Sequence, residues 1–159
     1  MMEASGEARD NETTRDLFAF VTGGAEADLE RLRGNGFPLK DEDRIEFELY
    51  GLRVFTADYL LYMYAASPEH RARVSGPLFE ELKRWADERW PGEGIEAIAQ
   101  RLSLYAHAAR QHDGHADVAI MNRFCRLCGH EEEAFMSKVP EVFLGYLQTV
   151  QAALERPMS

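Results

Sequence analysis

Apolar residues recur at helical spacing along nearly the whole chain, and the exceptions mark its joints. Residues 1 to about 12 carry no such rhythm, so a flexible N-terminal tail is expected there. Leu17, Phe18, Phe20 and Val21 then open a helical pattern. Gly23-Gly24 interrupts it, and Leu29 and Leu32 resume it. Gly34-Asn35-Gly36 closes it, because glycine takes up the left-handed conformation that ends a helix.

The next pattern predicts the longest helix, from about Asp41 to Ala66. Acidic residues in its first turn suit the positive end of the helix dipole. Ile45, Leu49, Leu52 and Tyr59 mark one stripe, and Phe47, Tyr50, Val54 and Leu61 a second. Phe55, Leu60, Tyr62, Met63 and Tyr64 nearly fill the remaining circumference. A helix that is apolar almost all round is surrounded by other helices. Segment 41–66 is therefore expected at the centre of the fold.

Ser67-Pro68 reads as an N-cap followed by proline at the first helical position. A short helix to about Val74 should follow, with Ser75-Gly76-Pro77 kinking or restarting it. Leu78, Leu82 and Trp85 carry the pattern on to the loop at Pro91-Gly92-Glu93-Gly94. A further helix runs from Ile95 to about His112 and is broken by Gly114. Another runs from about Ala116 to Cys128 and is closed by Gly129. Pro140 announces the last, with Phe143, Leu147, Val150 and Leu154 on its stripe. Runs of β-branched residues and strict apolar–polar alternation are missing. The predicted fold class is all-α: an irregular bundle of six or seven helices forming a single domain over residues 13–156.

Composition narrows the partners. A chain of 159 residues can bury a core without disulfides or structural metals. Eighteen basic residues against twenty-eight acidic ones give a net charge of −10. Such a chain repels phosphate backbones and anionic membrane surfaces, and no predicted helix is basic, so nucleic acid is not an expected partner. The most apolar stretch, Leu49 to Ala66, holds Arg53 and Asp58 and is short for a bilayer span. It reads as a buried helix, and no membrane association is expected. The first sixteen residues lack the basic and apolar regions of a signal peptide. Reduced cysteines and a cytoplasmic location follow as expectations.

Candidate chemistry is concentrated between His107 and His130, which hold four of the five histidines and both cysteines. Cys125-x-x-Cys128 would need a second pair of ligands to bind zinc. His115 and His130 could supply one, but in no standard order. Val118, Met121, Cys125 and Cys128 stand on one helical stripe, so the thiols read first as small core hydrophobes. They also sit at a helix C-terminus, where the dipole disfavours a redox-active thiolate. His112-Asp113 resembles the doublet of metal-dependent phosphohydrolases, without the upstream histidine and downstream aspartate those sites need. His112 and His115 flank a helix break, and a solvated turn is the simpler account. Glu-x-x-His and His-Glu-x-x-His motifs are absent. Gly34-Asn35-Gly36 lacks the strand and lysine of a phosphate-binding loop.

Asp58 is the carboxylate of most interest, because it lies inside the apolar central helix. If enclosed it must find donors or a cation, and Arg101 or His107 could supply one. Two functional readings follow. The first is a non-enzymatic protein that acts through contacts with a protein partner or with itself, as a homodimer, and needs no cofactor. It predicts an exposed apolar patch of at least a few hundred Å2. The second is a ligand-binding or metal-binding bundle. It uses Asp58, Arg101 and His107 for a ligand, or His112, His115, Cys125 and Cys128 for zinc or iron. A small hydrolase with an unrecognised site is a third reading.

Overall fold

Two side-chain caps fix the ends of the central segment. Asp41 accepts a hydrogen bond from the Arg44 amide at 3.3 Å, and Ser67 accepts one from the His70 amide at 3.0 Å. Both satisfy amides that a helix start leaves without partners. The computed structural model describes residues 2–34, 38–111 and 114–155, with side chains from residue 6 onward. Among these the helices are α1 (Met2–Thr22), α2 (Glu26–Arg33), α3 (Glu42–Tyr64) and α4 (Pro68–Arg89). Then come α5 (Gly94–Gln111), α6 (Ala116–Cys128), the single turn α7 (Glu133–Met136) and α8 (Val139–Leu154). The described residues contain no strand. None of their helices is long and apolar enough to cross a membrane.

The all-α prediction holds, and α3 is the central helix. It packs against α1, α2, α4, α5, α6 and α8. Its side chains feed two core clusters. Ile45, Leu49, Tyr50, Leu52 and Phe55 join α2, α6, α7 and part of α8. Val54, Ala57, Leu60 and Leu61 join α1, α4 and the Val150 end of α8. Removing this much apolar surface from water is the main driving term for such a bundle, at about 25 cal/mol per Å2.

Three expectations need correction. Residues 2–12 belong to α1. Their apolar rhythm is missing because part of this segment docks through polar contacts: Asp10 is buried, with His70 and Arg73 on its carboxylate. Next, α4 runs unbroken from Pro68 to Arg89, with Pro77 inside it. A proline there removes one backbone donor, but Val74, Leu78, Leu82 and Ala86 are all buried and hold the two halves to the core. Finally, α3 is not enclosed to its end. Burial stops after Leu61, and Tyr62, Met63 and Tyr64 are 64%, 57% and 43% exposed.

Candidate functional site

Buried charge is the rarest feature of a helical core, and α3 carries two instances. Glu48 lies on the same face as Ile45 and Leu52 and is 1% exposed. Its carboxylate takes Arg101 Nε at 2.8 and 2.9 Å on its two oxygens, and Arg101 Nη2 at 2.8 Å. Gly51, one turn further along α3, makes room for this. A Cβ there would stand 3.3 Å from Cβ and Cγ of Arg101. The missing side chain lets the Arg101 stem lie close against α3. The Arg101 guanidinium also covers the Phe47 ring at 5.3 Å.

Beside this pair, Tyr105, Cys125 and Cys128 form a group of buried polar side chains between α3, α5 and α6. Tyr105 is fully buried, and its hydroxyl has no hydrogen-bond partner. Burial, together with Glu48 and Cys128 nearby, pushes its pKa well up. Cys125 and Cys128 are free and buried. Burial first, then Glu131, pushes the Cys125 thiol up to about 11. Burial, Glu48 and Cys125 push Cys128 further in the same direction. All three groups are held neutral. Tyr105→Phe should therefore leave the fold intact and raise its stability by up to about 1 kcal/mol, because it removes a buried donor that has no partner. Urea unfolding of the variant checks this, and a loss of stability would mean that the hydroxyl is satisfied in solution.

The second buried charge is Arg53. It donates to the carbonyls of Phe20 at 2.7 Å and Gly24 at 2.9 Å, and to Asp28 Oδ2 at 2.5 Å. Tyr146 donates its hydroxyl to the same Asp28 oxygen, and its ring lies 4.8 Å from the guanidinium. One side chain thus ties the C-terminus of α1, the turn at Gly24, α2 and α8 to the central helix. Its bonded polar atoms point into the protein, which makes it a brace between these helices.

The residues singled out from the sequence do not assemble around Asp58. Asp58 meets Arg71 at 3.7 Å, and Arg101 belongs to Glu48. Burial raises the Asp58 pKa, and Arg71 opposes that shift. His107 is exposed on α5. Arg71 was missed because it is one of several charges on α4 and shares no spacing with Asp58. Arg53 was legible as a charge inside an apolar run, Glu48 was not singled out, and the partners of neither could be read. Of the metal candidates, Cys125 and Cys128 are buried and His115 is exposed before α6. His112 lies outside the described residues. Among those described, no three His, Cys, Asp or Glu side chains gather closely enough to hold a metal ion. His130 is buried and stacked 4.9 Å from Phe135. Its Nδ1 lies 3.1 Å from Glu132, and its Nε2 3.1–3.2 Å from the Lys40 backbone. It pins the segment before α3 to the turn after α6.

A second polar cluster, between α1 and the start of α4, was not read from the sequence. Asp10 receives His70 Nε2 at 3.1 Å and Arg73 Nε at 3.0 Å. His70 Nδ1 accepts the Ala66 amide at 3.2 Å. The ring is therefore held with its proton on Nε2, donating to Asp10. No known family matches the chain, and no curated protein or solved structure is significantly similar to it.

Proposed function

We propose that the protein acts through protein contacts, and that its partner is a second copy of itself docked on the aromatic end of α3. The exposure of Tyr62, Met63 and Tyr64, three consecutive large side chains, carries this reading. Three successive helix positions spread over more than half the circumference, so they clothe the tip of α3 and present an apolar knob to solvent. Soluble monomers rarely leave such residues together in water, whereas interfaces are rich in Tyr, Met and Arg.

The choice of a second copy rests on the charges beside the knob. Arg71 lies over the Tyr62 ring at 4.7 Å and faces Asp58 at 3.7 Å. One cation and one carboxylate at the same edge make the surface complementary to itself. A two-fold arrangement sets Arg71 of each copy against Asp58 of the other, the usual geometry of a homodimer. Such local pairing offsets the repulsion between two chains of charge −10, and it does so best at moderate salt, where long-range charge is screened.

Sedimentation equilibrium over roughly micromolar to millimolar protein tests this. A reversible dimer is expected, weakened at least tenfold in the Tyr62→Ser, Met63→Ser double variant. Both positions are exposed, so the unfolding midpoint of dilute, monomeric protein should be unchanged. A chain that stays monomeric throughout, or a dimer indifferent to both substitutions, would overturn the reading.

A further inference from the structure

We infer that the cleft between the N-terminal halves of α3 and α5 binds a small zwitterion, an amine and a carboxylate joined by a chain of a few carbons. The cleft has a volume of about 460 Å3, within the usual size of small-molecule sites. It lies at the opposite end of α3 from Tyr62, Met63 and Tyr64, so it stands independently of the dimer.

The charges that line it are sorted by position. Glu48 meets Arg101 and Phe55 meets Tyr105, so α3 and α5 run the same way here. Glu93 and Glu96 stand eight and five residues before Arg101, about 12 and 7.5 Å along the helix axis. Arg44 leans toward the end of α6, where a Cβ on Gly129 would lie 3.4 Å from its Nη1. Among the described residues, Arg44, Glu93 and Glu96 have no ion-pair partner. Arg101 is neutralised by Glu48 but not exhausted as a donor. It gives Nε and Nη2 to that carboxylate, and its Nη1 is left for an acceptor. Because Glu48 is 1% exposed, it holds the guanidinium in a fixed orientation. Arg44 then supplies the net positive charge that a carboxylate needs beside this donor. At the other end, two glutamates outweigh the roughly +0.5 charge of the α5 N-terminus.

This arrangement excludes simple ions. Two arginines against three glutamates leave the lining at −1, so an anion alone is repelled. A cation alone meets Arg44. A zwitterion satisfies both ends, with its carboxylate at Arg44 and Arg101 Nη1 and its ammonium at Glu96 and Glu93. Phe47 and Ala97 line the same cleft and give its methylene chain an apolar wall. With C–C bonds of about 1.5 Å, a chain of about four to six carbons spans from Arg101 to the level of Glu96.

The probe is δ-aminovalerate, titrated into 15N-labelled protein and followed by amide shifts. Valerate, n-pentylamine and glycine are the controls. The first two lack one charge each, and glycine holds its charges too close together. Saturable shifts confined to residues 44–48 and 92–101 are expected at about millimolar δ-aminovalerate, with each control at least tenfold weaker. Arg44→Gln and Glu96→Gln alter exposed side chains, so the free spectra should stay native. Each should weaken δ-aminovalerate binding at least fivefold, and Arg44→Gln should bring it level with n-pentylamine. The inference is overturned if δ-aminovalerate gives no saturable shift. It is overturned equally if any control binds as well, or if neither substitution changes the titration. Tyr62→Ser and Met63→Ser lie about 27 Å further along α3 and should leave this titration intact, so failure of the dimer and failure of this site read out separately.

Discussion

Arg53→Met is expected to lower the free energy of unfolding by about 3–5 kcal/mol, the largest effect of any single substitution considered for this chain. Methionine matches the arginine stem in length, so little packing is lost. The loss lies in what Arg53 leaves behind. Asp28, 5% exposed, would keep a buried carboxylate with only the Tyr146 hydroxyl to satisfy it. The carbonyls of Phe20 and Gly24 would lose their donor where α1 turns into α2. An uncompensated buried charge costs far more than the intact pair contributes. Asp28→Leu in the same background removes that charge, and the double variant should recover part of the loss. Urea unfolding of the wild type, both single variants and the double variant gives the coupling energy directly. For a domain of this size the single variant should melt about 10 °C lower. A loss below about 1 kcal/mol would mean that water reaches Asp28 and that the brace is not closed.

The second large effect concerns the thiols. Neither cysteine of the folded chain should react with a small aromatic disulfide at pH 8 at more than about one hundredth of the rate in urea, because the thiolate is the nucleophile. Cys125, with its pKa near 11, is ionised to only about one part in a thousand at that pH. Cys128 is ionised less still, and both lie behind the helices that bury them. Reaction at the unfolded rate by either thiol would contradict the core placement and reopen the redox reading of Cys125-x-x-Cys128. Stability should follow the same chemistry. Both pKa values are raised on folding, so the neutral thiols support the fold fully below the ordinary value of 9.0. Above it the unfolded chain loses protons that the folded chain keeps, and stability falls with rising pH. For Cys125 that fall spans pH 9.0 to about 11. Cys125→Ala should flatten the alkaline limb of the stability curve, whatever it costs in packing at neutral pH.

How far these features could be read in advance depended on the range of the interaction. The stripes of α3, the glycine turn after α1 and the Ser67-Pro68 start of α4 are local signals, and each appears where the spacing placed it. The placement of Cys125 and Cys128 in the core followed from the same helical spacing. Partners are another matter. Asp28 stands 25 residues from Arg53 and 118 from Tyr146, and only the packing of α2 and α8 on α3 brings the three together. Asp10 misled for a related reason. A polar segment resembles a tail when its binding energy comes from one buried carboxylate meeting a histidine and an arginine about sixty residues away. The 107–130 stretch misled in the opposite direction. Its density of histidine and cysteine is real along the chain, yet helical geometry sends His107 and His115 to solvent and the cysteines inward.

The position of α1 bears on how the chain is made. It is the first helix in the sequence, yet the helices it packs against are α3, α4 and α8. Leu17 and Val21, fully buried in the folded protein, share their core cluster with Leu78, Leu82 and Val150. On a ribosome these apolar faces wait for more than a hundred further residues before the last of their neighbours appears. Local helix formation cannot hide them, because their burial is long-range. The nascent chain therefore carries an unsatisfied apolar helix face while more than a hundred further residues are made, the kind of surface that chaperones bind and that aggregates when they are scarce.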